Sequence, residues 1–139
     1  MKKWMGSAGL CINEKKQILM VKQGLPDEEK LWTIPSGGKE ANETFEACCI
    51  RETYEETGYL TSIVKPLFIK EGTTFGIPVT VHYFQIKVDG GSPIIQDPDE
   101  LIYEIAWKSA NEIKDLELSF PEDRNFLLNF INEEQVMIN

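Results

Sequence analysis

The sequence predicts an α/β fold around a mixed β-sheet, in a single domain over residues 1–139. Three observations carry that expectation. Strand-like and helix-like segments are mixed along the chain. Two pairs of strand-like segments look hairpin-like, which argues against a purely parallel doubly wound sheet. A chain of 139 residues, 42% hydrophobic and 27% charged, suits one domain that buries its core without staples.

The elements follow in order. Residues 5–12 are small and apolar and read as a strand. Asn13, Glu14, Lys15 and Lys16 make a polar turn into the apolar run 18–21, so the two runs form the first expected hairpin. Residues 24–30 are a loop holding Pro26 and three acids. A short strand over 31–34 stops at Pro35, and 35–42 is Gly-rich and irregular. A helix is expected over 44–57, capped by Asn42 or Thr44, with Gly58 at the left-handed C-terminal position. Its residues Ala47, Ile50 and Tyr54 fall opposite the glutamates and would pack on the sheet. Strands over 62–71 and 79–88 form the second hairpin, and Asp89, Gly90 and Gly91 turn the chain out of it. A polar loop runs to Glu100, followed by a strand over 101–107 and a short helix over 109–113. In the last expected helix, 121–132, Phe126, Leu127, Phe130 and Ile131 recur at helical spacing.

Charge and cysteine usage narrow the function classes. The formal net charge is -9, which disfavours binding to a nucleic acid polymer, because backbone phosphates attract Lys and Arg. A polyanionic ligand would need a divalent cation to offset the repulsion. The three cysteines, Cys11, Cys48 and Cys49, form no CxxC pair and are odd in number. Reduced, partly buried thiols in a cytoplasmic protein are the plain expectation. The apolar part of the N-terminus is too short for a signal peptide, and no run suits a membrane helix.

The expected helix concentrates the chemistry. Glu52, Glu55 and Glu56 stand at i, i+3 and i+4, so their carboxylates share one sector. Such like-charge neighbours cost roughly 0.2–0.5 kcal/mol each. The helix has no lysine, and Arg51 is its only cation. Carboxylates at this spacing suit a hard cation such as Mg²⁺ or Mn²⁺. A solvated acidic face is the bland alternative on the glutamates alone.

The wider spacing decides between them. Gly37 is followed by five residues and Glu43, then by seven residues and Arg51-Glu52, then by Glu55-Glu56-x-Gly58. This resembles the box of the Nudix hydrolase family, MutT-like members included, written G-x5-E-x7-R-E-U-x-E-E-x-G-U with U bulky and aliphatic. All its fixed positions match, over about a sixth of the chain. Thr53 and Tyr59 stand at the two U positions, and Thr53 is the poorer fit. Ser36 stands where many members have glycine.

The resemblance implies a Nudix-type α/β/α sandwich around a mixed sheet, in one domain. It implies a metal-dependent hydrolase that uses water to cleave the diphosphate linkage of a nucleoside di- or triphosphate derivative. Glu52, Glu55 and Glu56 would hold Mg²⁺ or Mn²⁺ with the backbone carbonyl of Ser36, and Glu52 is the first choice of general base. Arg51 would orient the carboxylates, and Glu43 and Gly58 would support the loop–helix geometry. Gly37 and Gly38 would let backbone approach the phosphates. The partner is then a small nucleotide-type molecule, with no membrane, and the protein is a monomer or homodimer.

Outside the box, Asp97, Asp99, Glu100 and Glu104 are acids before a strand, and similar enzymes often take one further carboxylate there. Glu100 is the choice, against a solvated acidic loop. Lys22 could meet a phosphate, although an exposed edge lysine is the plainer reading. The segment Phe120-Pro121 resembles one from which MutT-type members read the base, which points to Asp123 or Asn125. The plainer reading is that Ser119 caps, and Pro121 opens, the last helix. His82 reads as an ordinary strand residue, Trp32 as packing beside the site, and Trp4 and Trp107 as packing. The rival activities are hydrolysis of a sugar nucleotide or dinucleoside polyphosphate. The rival outside that class is a catalytically silent ligand-binding or regulatory domain, which the intact glutamate set disfavours.

Overall fold

Two runs of consecutive buried residues, 6–11 and 18–21, mark the strands at the centre of the fold. Strands covered on both faces read this way. The computed structural model describes residues 3–95 and 101–138. The elements are β1 (Trp4–Cys11), β2 (Ile18–Gln23), β3 (Leu31–Thr33), β4 (Ser36–Gly38), α1 (Phe45–Thr57), β5 (Tyr59–Thr74), β6 (Ile77–Gly91), β7 (Ile102–Lys108), α2 (Ala110–Asp115) and α3 (Arg124–Ile138). A 3₁₀ turn, Pro121–Asp123, leads into α3.

The strands form two sheets, ordered β4-β1-β6-β5 and β3-β2-β7. The first is mixed: β1 runs antiparallel to β4 and parallel to β6, and β5 and β6 are antiparallel. The expected β1–β2 hairpin does not form as a ladder. The backbone pairing between its strands is limited to the Ile12–Ile18 bridge and the adjoining turn, where Asn13 N–H donates to Gln17 O at 3.0 Å. The reason is that a strand has two edges, and both strands have theirs taken: β1 by β4 and β6, β2 by β3 and β7. The Gly-rich stretch expected to be irregular contains β4, which lies along Gly6, Ser7 and Ala8. The second hairpin does form, and it is longer than expected. Gly90 and Gly91 stay in the ladder opposite Leu60 and Tyr59 instead of turning.

Side-chain alternation sorts the core onto two faces. Leu10, Ile18, Met20 and Tyr83 pack with Ile113, Leu127, Phe130 and Ile131 of α2 and α3. Their strand neighbours Cys11, Leu19, Phe84 and Ile86 pack with Cys49 of α1. The result is an α/β/α layering.

The buried side of α1 differs from the expected one. Cys48, Cys49, Thr53, Glu56 and Thr57 are buried. Ala47 is exposed, and Ile50 and Tyr54 are half-buried. The cause lies in β1. A Cβ on Gly9 would stand 3.1 Å from both Cys49 Sγ and Thr53 Oγ1, so the helix rides close to the strand and needs small side chains there. Burial pushes the Cys11 thiol up to about 11 and the Cys49 thiol up to about 12, which leaves both unreactive. No helix among the described residues is long and apolar enough to cross a membrane.

Candidate active site

The box begins where β4 meets α1. Gly9 N–H donates to Pro35 O and Lys39 N–H donates to Met5 O, at 2.9 and 2.8 Å. These odd-numbered positions of the β4 segment face β1, and the alternation of an antiparallel ladder turns the polar groups of Ser36 and Gly38 the other way. There they meet α1. Ser36 N–H donates to Glu56 Oε1 at 3.3 Å, and Gly38 O accepts from Arg51 Nη2 at 2.8 Å. The same alternation directs the Ser36 carbonyl away from β1. Gly37 has no room for a side chain, because a Cβ there would fall on the Glu52 carboxyl.

Helix α1 is fixed at both ends. Thr44 Oγ1 accepts from Ala47 N–H at 3.0 Å, as an N-cap should. Gly58 closes the helix at φ 80°, donating to Tyr54 O at 2.8 Å. A Cβ on Gly58 would also strike Ser92 O, so both space and conformation require glycine.

Arg51 gathers the carboxylates. Its Nε and Nη2 donate to the two oxygens of Glu43 at 2.7 and 2.9 Å, a bidentate pair. Nη1 donates to Glu52 at 2.7 Å and to Glu55 at 3.3 Å. Glu40 lies 3.9 Å from the same nitrogen. The hydrogen bonds from Arg51 hold the Glu43 carboxyl down at about 2. Glu43 in return raises the guanidinium above its ordinary value. Glu52 moves the other way: burial pushes its carboxyl up in spite of Arg51. Glu56 is buried, at 6% exposure.

Glu52 and Glu55 are thus turned onto Arg51, and Glu56 toward Ser36. Among the described residues, no three His, Cys, Asp or Glu side chains are gathered in a form that would hold a metal. The donor chemistry still fits a hard divalent cation: carboxylates along one side of α1, one of them buried, facing turned-out backbone of β4.

A cleft of about 540 Å³ adjoins the box at Ser36. Trp4, Lys70, Phe75, Tyr83 and Phe120 are among its lining residues. Lys70 Nζ binds Asp123 at 2.8 Å and Glu122 at 3.1 Å, and Tyr83 donates its hydroxyl to Asp123 at 2.8 Å. Burial pulls the Lys70 ammonium down, but Asp123, Tyr83 and Glu122 outweigh it and the net shift is upward. The Tyr83 phenol is raised by burial and then by Asp123.

The remaining sequence candidates sit as follows. Asp123 is buried and committed to Lys70 and Tyr83. Asn125 is exposed on α3 and does not line the cleft. Lys22 is not an edge lysine, because β2 is the middle strand of its sheet; it lies 4.0 Å from Glu104 and over Trp32. Asp97, Asp99 and Glu100 lie outside the described residues. Trp32 is buried as expected, and His82 stacks on Phe45 at 3.5 Å. Trp4, expected to pack, is 42% exposed and lines the cleft. It stands over Gly6 and Gly38, a cross-strand pair that only the β1–β4 register creates. Lys70 escapes sequence reasoning for the same kind of reason: its partner Asp123 lies 53 residues away.

Known proteins bear on this geometry. A family model described as the NUDIX domain matches residues 3–130. A Bacillus subtilis (strain 168) protein named "Putative 8-oxo-dGTP diphosphatase" is 39% identical over 86 residues, which is 62% of this chain and 54% of that one. A solved NUDIX hydrolase from Nitrosomonas europaea superposes with a TM-score of 0.79 at 22% identity, covering 98% of this chain and 90% of that one. The NUDIX domain of Shewanella oneidensis NrtR, solved with ADP ribose, superposes at 0.76 with 14% identity, over 98% and 90% of the two chains. At these identities the solved structures establish the fold. The chain spans between 26% and 65% of the length of five curated relatives that it matches.

Proposed function

This chain belongs to the NUDIX family, and on that premise we propose that it hydrolyses the diphosphate linkage of a nucleoside di- or triphosphate derivative, with Mg²⁺ or Mn²⁺. One observation carries the reading. Glu52 and Glu56 stand on α1 against β4 backbone, Glu55 is held on Arg51 with Glu52, and Ser36 joins that backbone to a cleft large enough for a nucleoside.

Glu52, Glu55, Glu56 and the Ser36 carbonyl would hold the cation. When bound, it supplies positive charge to the phosphoryl oxygens and lowers the pKa of a coordinated water. Arg51 keeps Glu52 and Glu55 on one side of the helix and ties both to Glu43 and β4. Glu52 is the candidate base for the proton of the attacking water. Its carboxyl lies against Gly37, where the missing side chain leaves room for it beside the β4 backbone. The nucleoside would occupy the cleft beyond Ser36, with Lys70 as the cation in its wall. The Bacillus subtilis relative and the ADP ribose of the NrtR domain make purine nucleotides the first substrates to try.

Glu56→Gln is the direct test, because it removes a charge and little volume. Activity with Mg²⁺ against 8-oxo-dGTP, ADP-ribose and a dinucleoside polyphosphate should fall by orders of magnitude while thermal unfolding stays cooperative. Near-full turnover on any of them would remove Glu56 from the site.

A further inference from the structure

Phe75 is held at a place where folding gives a phenyl ring no reason to be. It is the first residue of the two-residue turn joining β5 to β6, closed by the Thr74–Ile77 pair. Phe75 has φ 52° and Gly76 φ 77°, so both central residues are left-handed, as in a type I′ turn. Such turns favour Asn or Asp first, and a bulky side chain there is strained. Phe75 is also 99% exposed, with no aromatic partner among the described residues. Conformation and solvation both oppose it, and strain of this kind points to function.

Its position says which function. Phe75 lines the rim of the cleft, whose wall is the two arms of its own hairpin, from Lys70 to Thr74 and at Ile77, Val79 and Val81. Trp4 and Phe120 line the same cleft, 42% and 43% exposed. Ser36 is among the lining residues and joins the cleft to Glu56 of α1. Three exposed aromatic rings beside a phosphate-directed site suit a planar heterocycle, since stacking accepts any base. Lys70, the one cation in the described lining, stands in the same wall, held by Asp123 and Glu122.

We propose that Phe75 is a specificity-determining residue that covers the base of a bound purine nucleoside diphosphate derivative, holding it over the cleft. The proposal rests on the cleft being the nucleoside site of the hydrolase proposed above. It assigns Phe75 to substrate binding and leaves the hydrolytic step to α1.

The test is Phe75→Asn, with Phe75→Trp as the conservative control. Asn suits the turn, so the variant should melt at or above the wild-type temperature. Its KM for 8-oxo-dGTP or ADP-ribose should rise roughly tenfold with kcat within about twofold, the scale of one lost stacking contact. Phe75→Trp should restore the KM. Inorganic tripolyphosphate, which has no base, should inhibit the wild type and Phe75→Asn equally. An unchanged nucleotide KM in a stable Phe75→Asn variant overturns the proposal. So does a change confined to oligomeric state in sedimentation, which would assign Phe75 to a second copy of the chain. If Glu56→Gln stays active, the reading of the box fails, while the KM comparison still decides Phe75.

Discussion

At the residue scale, Arg51 bears the most connections in the candidate site. It joins Glu43, Glu52, Glu55 and the Gly38 carbonyl through one guanidinium. The Glu43 half of that web has a pH signature. The folded carboxyl sits at about 2, below its ordinary value of 4.5, so its stabilisation is complete above about 4.5 and is lost as pH falls toward 2. Glu43→Gln should therefore cost on the order of 2 kcal/mol at pH 7, the scale of hydrogen bonds to a charged group. The gap to wild type should narrow between pH 4.5 and 2, read by urea unfolding at several pH values. A gap that stays constant with pH would show that the Glu43 charge is not what the fold uses. Part of this web is legible in the sequence: Arg51 and Glu55 are an i, i+4 pair on any helix. The bonds to Glu43 and Gly38 are not, because they depend on how the loop before α1 folds back.

At the element scale, α1 is readable and its neighbours are less so. Its caps, Thr44 and Gly58, are local chemistry and stand where the sequence puts them. Its buried side departs from expectation, because the size of residue that fits is set by Gly9 on another strand. The pairing of β1 and β2 departs for a related reason: which edges a strand pairs along is a long-range choice. Thr53 is the residue where this matters most. It stands at a position of the box that favours a bulky aliphatic side chain, it is fully buried, and its Oγ1 makes no hydrogen bond among the described residues. Thr53→Val keeps the shape and removes the buried hydroxyl. It should stabilise the fold by about 1 kcal/mol without changing turnover. A loss of stability on denaturant unfolding would show that the hydroxyl has a partner that matters.

At the scale of the whole molecule, charge dominates. A chain with formal charge -9 and a polyphosphate repel each other, and the glutamates of α1 add to that at short range. The cleft offers one lysine in its described lining, and that lysine is already paired to Asp123 and Glu122. A divalent cation on α1 would then supply much of the affinity for the substrate as well as the rate. The α/β class and the box are legible in the sequence, because composition and spacing carry them. The cleft is not, because Trp4, Lys70, Phe75 and Phe120 come from distant parts of the chain and meet only in the folded sheet. The decisive measurement is calorimetric titration of the wild-type protein with a slowly hydrolysed nucleotide analogue, in Mg²⁺ and again in EDTA. Tight binding in Mg²⁺, strongly weakened by EDTA and restored by added Mg²⁺ or Mn²⁺, is the expected result. Equal affinity with and without the metal would show that protein donors alone hold the phosphates, and would rule out the metal-holding role proposed for Glu52, Glu55 and Glu56.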